Sequence, residues 1–177
     1  MEYTYNQQSN QQASTNLDQD LKNSRNEKFT RGEVEAREWI FEVLTILPSV
    51  AQEHKQHGSD LIDILKDGKI LCQLGNLLNL PGTNPCSKYK NSKMPFVQME
   101  NISFFLKACE MIGVPHDEIF QTVDLFERKD PYQVIVTLIS FSRKAHVNNP
   151  KNFPKPVGPK IVKIKPPVPV KPVNLRK

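Results

Sequence analysis

Asp60-Leu-Ile-Asp-Ile-Leu-Lys-Asp-Gly-Lys-Ile-Leu-Cys-Gln-Leu-Gly-Asn-Leu-Leu78 is the stretch that decides the fold. It holds two apolar runs, Leu61-Ile62-Ile64-Leu65 and Ile70-Leu71-Cys72-Leu74-Leu77-Leu78, parted by Lys66-Asp67-Gly68. Asp-Gly is a turn signal, because glycine takes a positive φ at no steric cost. In the second run Ile70, Leu74, Leu77 and Leu78 recur at helical spacing, and Leu71 and Cys72 widen the stripe. A helix apolar around most of its girth belongs inside a domain. The stretch reads as a short helix, a tight turn and a central helix. It is scaffold, with no side chains arranged for chemistry.

On its N-terminal side, Thr30 and Glu33 have the spacing of a capping box. Ala36, Trp39, Ile40, Val43, Leu44 and Leu47 follow at helical spacing up to Pro48, which predicts a first helix starting at Thr30 with Trp39 in the core. On the C-terminal side, Pro95 opens a helix with Met99, Ile102, Phe105, Leu106, Cys109 and Ile112 on one face, stopped at Gly113-Val114-Pro115. Short helical pieces are expected around 117–120 and 123–127. Asp130-Pro131 then caps a last helix carrying Val134, Ile135, Leu138, Ile139, Phe141 and Ala145. No run alternates with a period of two. The expected class is all-α: about four main helices and short connecting ones, between disordered N- and C-terminal tails.

The flanks differ in composition. Residues 1–16 are rich in Gln, Asn and Ser and are expected to be disordered, and 17–29 to form a loose lead-in to a domain ending near 147. Residues 148–177 form a proline-rich basic tail expected to lie outside the core. Cutting after Asn149 should therefore separate tail from domain. Residues 151–177 hold eight of the 24 basic residues and no acid, leaving 16 against 19 acids, or −3, in residues 1–150. A basic arm on a mildly acidic body points to a polyanionic partner. Cys72, Cys86 and Cys109 are odd in number and widely spaced, as in a reducing compartment. The N-terminus has neither the basic start nor the apolar run of a signal peptide, and no run approaches the roughly 20 apolar residues of a membrane span. A cytoplasmic protein is expected. Asn101-Ile102-Ser103 matches a glycosylation acceptor but falls within a helical pattern.

Taken in order, Trp39, Leu65-Lys-Asp-Gly-Lys-Ile-Leu-Cys-Gln-Leu74, Phe96-Val-Gln-Met-Glu-Asn-Ile-Ser-Phe-Phe-Leu106 and Phe120-Gln-Thr-Val-Asp-Leu-Phe-Glu-Arg-Lys-Asp-Pro131 resemble a calponin-homology domain over about residues 30–147. The single copy and Lys93-Met-Pro-Phe-Val-Gln-Met99 make the chain most similar to the transgelin and calponin family, especially its fungal transgelins. The resemblance implies a compact helical domain, no enzymatic activity and a place on the actin cytoskeleton, at cortical patches in a fungus. It implies F-actin as partner and filament stabilisation or crosslinking as function. The calponin-like repeat that usually follows in this family does not occur before Lys177.

The candidate actin-binding residues are Arg143, Lys144, Lys151, Lys155, Lys160, Lys163 and Lys165, a basic run whose binding should weaken with salt. Lys88–Lys93 and Arg128–Lys129 are rival basic stretches on the domain. Lys163, Pro166, Pro169 and Lys171 form P-x-x-P patterns in both orientations. They fit Src-homology-3 grooves and suggest an adaptor as the alternative function. The bland reading of the tail is a solubilising extension. Nucleic acid or lipid binding follows from charge alone and is not the expected role. His54 and His57 lack further ligands, Asp18 and Asp20 fail the calcium-loop pattern, and no phosphate-cradling glycine motif occurs. No metal and no cofactor are expected.

Overall fold

The computed structural model describes residues 8–44 and 60–158, with side chains from residue 16 onward. Six helices and two 3-10 turns make up the described part: α1 (Gln8–Val43), α2 (Leu61–Leu65), α3 (Lys69–Asn76), α4 (Pro95–Met111), α5 (Thr122–Phe126) and α6 (Pro131–Asn148). The 3-10 turns are Pro85–Lys88 and His116–Glu118, and no strand occurs among the described residues. The class is all-α, as the periodicity predicts. α1 packs along α6, α3 lies on α4 and on the first 3-10 turn, and α5 bridges α4 and α6.

The opening stretch folds as read. Asp60 caps α2 by accepting from Asp63 N at 3.0 Å. Gly68 then turns the chain into α3 at φ 71°. A Cβ at Gly68 would lie 2.7 Å from Asn101 Cβ and from the Ile102 amide, so the turn fits against α4 only because the side chain is missing. The buried face of α3 is Leu71, Cys72, Leu74 and Gly75, with Ile70 and Leu77 half-buried at its edges. α4 ends as its sequence predicts. Gly113 is left-handed at φ 80°, its amide donates to Glu110 O, and the Val114 amide donates to Cys109 O. Asp130 caps α6, with Pro131 at its first position.

The start of the first helix differs from the expectation. α1 is continuous from Gln8, and Thr30 lies in its interior, where its hydroxyl donates to Asn26 O at 3.0 Å. No proline or glycine interrupts residues 8–31. Tertiary partners then hold the extension: Arg25 donates twice to Asp130 at 2.9 Å and lies 4.8 Å over the Tyr132 ring, and Phe29 packs on the core. Glu33, expected to close a capping box, instead accepts from the Leu61 amide at 2.9 Å and from Arg37, so it caps α2. Of residues 1–16, expected to be disordered, 8–16 instead belong to α1, while 1–7 and the expected end of α1 at Leu47–Pro48 fall outside the described residues.

The second difference is at the other terminus. Residues 149–158, expected to leave the core, form a strap that closes it. Phe153 is fully buried and Val157 is 3% exposed. Phe153 stacks on Trp39 at 5.9 Å and meets Phe141 edge-on at 6.0 Å, and Phe141 in turn contacts Phe105 at 4.9 Å. Trp39 Nε1 donates to Lys155 O at 2.7 Å, Ser142 Oγ accepts from the Val157 amide, and Asn149 and Asn152 both donate to Leu77 O. Polyproline-like composition excludes helix and sheet, but not burial of two apolar side chains four residues apart. The described fold therefore runs on past Asn149 at least to Gly158.

Candidate functional site

Arg128 and Lys129, at the end of α5, are set apart by their partners. Arg128 Nη1 donates to Asp60 Oδ1 at 3.0 Å and Asp63 Oδ1 at 2.9 Å, and Nη2 bonds the second Asp60 oxygen. The guanidinium holds the Asp60 carboxyl below the usual carboxylate range, and the carboxylates raise Arg128 in return. Arg128 is thus committed to joining α5 to α2. Beside it, Arg25, Phe29, Lys129 and Tyr132 line an open groove of about 420 Å³ whose Arg25 is already held by Asp130.

Arg128 is also left-handed, at φ 55°. That conformation costs a non-glycine residue about 1 kcal/mol. An exposed ion pair contributes about as much or less. Arg128→Ala is therefore expected to cost about 1 kcal/mol, and Arg128→Gly to be near neutral because strain relief offsets the lost pairs. Because the folded Asp60 pKa is depressed, its contribution is full above the unfolded value of about 3.9 and fades as pH falls through the lower folded value. Urea unfolding at neutral pH and at about pH 3 checks both: wild type should lose its margin over Arg128→Ala in acid, where Arg128→Gly, freed of the strain, should become more stable than wild type.

The C-terminal basic run is only partly within the described residues. Arg143 is half-buried and Lys144 exposed near the end of α6, and Lys151 and Lys155 are exposed on the strap. Lys155 also pairs with Glu42 at 2.7 Å, so part of its charge is satisfied within the domain. Lys160, Lys163, Lys165, Pro166, Pro169 and Lys171 lie outside the described residues.

A third basic segment was legible only as charge. Lys88, Lys90 and Lys93 are exposed, and next to them Met94 is 64% and Phe96 71% exposed. The segment is held from beneath by Asn101, which is 2% exposed. Asn101 Nδ2 donates to Lys90 O at 2.9 Å and Asp67 O at 3.1 Å, and its Oδ1 accepts from the Lys90 amide at 3.0 Å. The sequence signal for this surface is an acid-free run from Gly68 to Met99. The same contacts bury Asn101, the acceptor residue of Asn101-Ile102-Ser103.

Nothing among the described residues is arranged for metal chemistry: no group of three His, Cys, Asp or Glu side chains could hold an ion. Cys72, Cys86 and Cys109 are buried free thiols. The Cys72 thiol lies against Cys86 and donates to Asn101 O at 3.1 Å; that neighbour and burial push its pKa up, and burial does the same to Cys109. Raised thiols are poor nucleophiles. No described helix is long and apolar enough to cross a membrane.

A short capped helix, a glycine turn, a central helix and three long helices closing on an aromatic core define the architecture, and the calponin homology (CH) domain family matches residues 32–147. The chain is 42% identical over 167 residues to a transgelin of Saccharomyces cerevisiae, covering 92% of this chain and 80% of that protein. It is 44% identical over 140 residues to a transgelin of Schizosaccharomyces pombe, covering 76% and 71%. It is 46% identical over 132 residues to myophilin of Echinococcus granulosus, covering 73% and 63%. The chain belongs to the transgelin family of calponin-homology proteins.

Proposed function

We propose that this protein binds actin filaments in the cytoplasm and stabilises or crosslinks them, without enzymatic activity. One observation carries the reading: a transgelin-family domain ends in a basic run with no acid after residue 150. Arg143, Lys144, Lys151 and the lysines beyond Gly158 would supply the electrostatic contact, with Lys155 sharing its charge with Glu42. Co-sedimentation with filaments over a salt series tests it. Residues 1–177 should pellet at about 50 mM salt and progressively less toward about 200 mM, as exposed charges are screened. Residues 1–158, which keep the strap, should retain only the share borne by the domain. Absence of pelleting for 1–177 at low salt overturns the reading, and low-speed pelleting separates crosslinking from simple binding. Pro166-Pro-Val-Pro169, with Lys163 before it and Lys171 after it, supports a second reading as an adaptor for Src-homology-3 partners. A peptide of residues 161–174 that binds none of a panel of such domains sinks that arm.

A further inference from the structure

The segment between the first 3-10 turn and α4 joins cations unpaired among the described residues to exposed apolar side chains. Arg25, Arg31, Arg37, Arg128 and Lys155 are all tied to carboxylates. Lys88, Lys90 and Lys93 enter none of the ion pairs among the described residues, and no acid occurs in the 32 residues from Gly68 to Met99. Three exposed cations therefore sit beside two exposed apolar side chains. One exposed apolar residue is ordinary, but a methionine and a phenylalanine both exposed within two residues, at the end of an acid-free basic run, mark an interaction surface. The backbone beneath is fixed in advance. Asn101 grips both backbone groups of Lys90, Ser92 Oγ accepts from the Met94 amide at 3.1 Å, and Gln98 Nε2 donates to Ser92 O. A surface whose backbone is already ordered loses little entropy on docking.

We infer that Lys88, Lys90, Lys93, Met94 and Phe96 are the domain's own docking surface for the filament, meeting an acidic protein face with an apolar recess. This rests on the filament reading above and names a contact separate from the basic tail. The lysines steer the encounter and fix register, while Phe96 and Met94 supply the desolvated anchor. Three lysines and two apolar side chains fall short of what stable anchoring on an anionic membrane takes, which favours a shaped protein partner.

The test uses the full chain and filament co-sedimentation at about 100 mM salt. Met94→Ser with Phe96→Ser changes no charge and removes exposed apolar groups, and because Met94 is the N-cap of α4 the serine there should leave the unfolding midpoint level or slightly raised. Affinity should fall about tenfold. Lys90→Glu with Lys93→Glu should weaken binding by about tenfold or more, and the charge-matched control Lys28→Glu with Lys107→Glu by less than about threefold. Wild-type affinity in the serine variant overturns the inference while leaving the filament reading standing. A control as weak as Lys90→Glu with Lys93→Glu also overturns it, because net charge alone then explains binding. Failure of the wild-type chain to pellet at low salt removes the filament reading and this surface with it. Flotation with phosphatidylserine vesicles that requires Phe96, with filament binding unchanged by the serine variant, assigns the surface to lipid instead.

Discussion

Phe153→Ala is expected to lower the unfolding free energy by about 3–5 kcal/mol, the range for removing a buried phenylalanine ring. The ring is fully buried between Trp39 and Phe141. Its neighbours cannot collapse into the space it leaves. Trp39 is pinned by its Nε1–Lys155 O hydrogen bond, and Phe141 sits in α6 against Phe105. Against a typical domain stability of about 5–15 kcal/mol, this is roughly a fifth of the whole or more. Far-ultraviolet circular dichroism should show the thermal midpoint fall by on the order of 10 °C. Truncation after Asn149 removes Phe153, Val157 and the acceptor for Trp39 together, and should be worse still, whereas truncation after Gly158 should leave the midpoint close to wild type. A Phe153→Ala loss below about 1 kcal/mol would show that the strap rests on the core without being part of it. The consequence for binding work is direct. Filament assays on a chain ending at Asn149 would confuse loss of the tail with loss of the fold.

Asn101→Ala should cost about 2–4 kcal/mol, since three side-chain hydrogen bonds disappear and their partners stay in place. The side chain joins α4 to the Asp67 turn and to the 88–93 segment, with no solvent to replace it. Asn101→Asp keeps nearly the same shape and gives the sharper result. A carboxylate would lose both donated bonds and face the Asp67 and Lys90 carbonyl oxygens with negative charge. It should be at least as destabilising as alanine near neutral pH. Hydrogen exchange at the Lys90 amide should quicken in both variants. If aspartate is tolerated, Asn101 is not acting through its amide donors.

The six described helices follow largely from local pattern. Asp60–Leu78 and Pro131–Asn148 carry their own side-chain caps and Pro95–Met111 its proline start and glycine stop, each with its own period, so neighbouring residues suffice to specify them. Glu33 was legible as a residue with a capping role but not for the helix it caps, because its partner, the Leu61 amide, is 28 positions away. Arg128 read as one more surface cation. Only the approach of α2 to the end of α5 pairs it with Asp60 and Asp63. Phe153 and Val157 were hidden by their setting, since two apolar residues among prolines and lysines carry no periodic signal. Met94 and Phe96 were hidden for the opposite reason, because apolar residues at a helix start are normally counted toward the core.

What the sequence determined by itself is the helical class, the central turn at Gly68, the family and the basic bias of the C-terminus, since these rest on composition and on contacts within about one helical turn. The tertiary structure decided that residues 149–158 join the core, which cations are spoken for and which apolar side chains face outward. Those outcomes depend on carboxylates, carbonyls and rings brought together from distant parts of the chain, and no local pattern records such meetings.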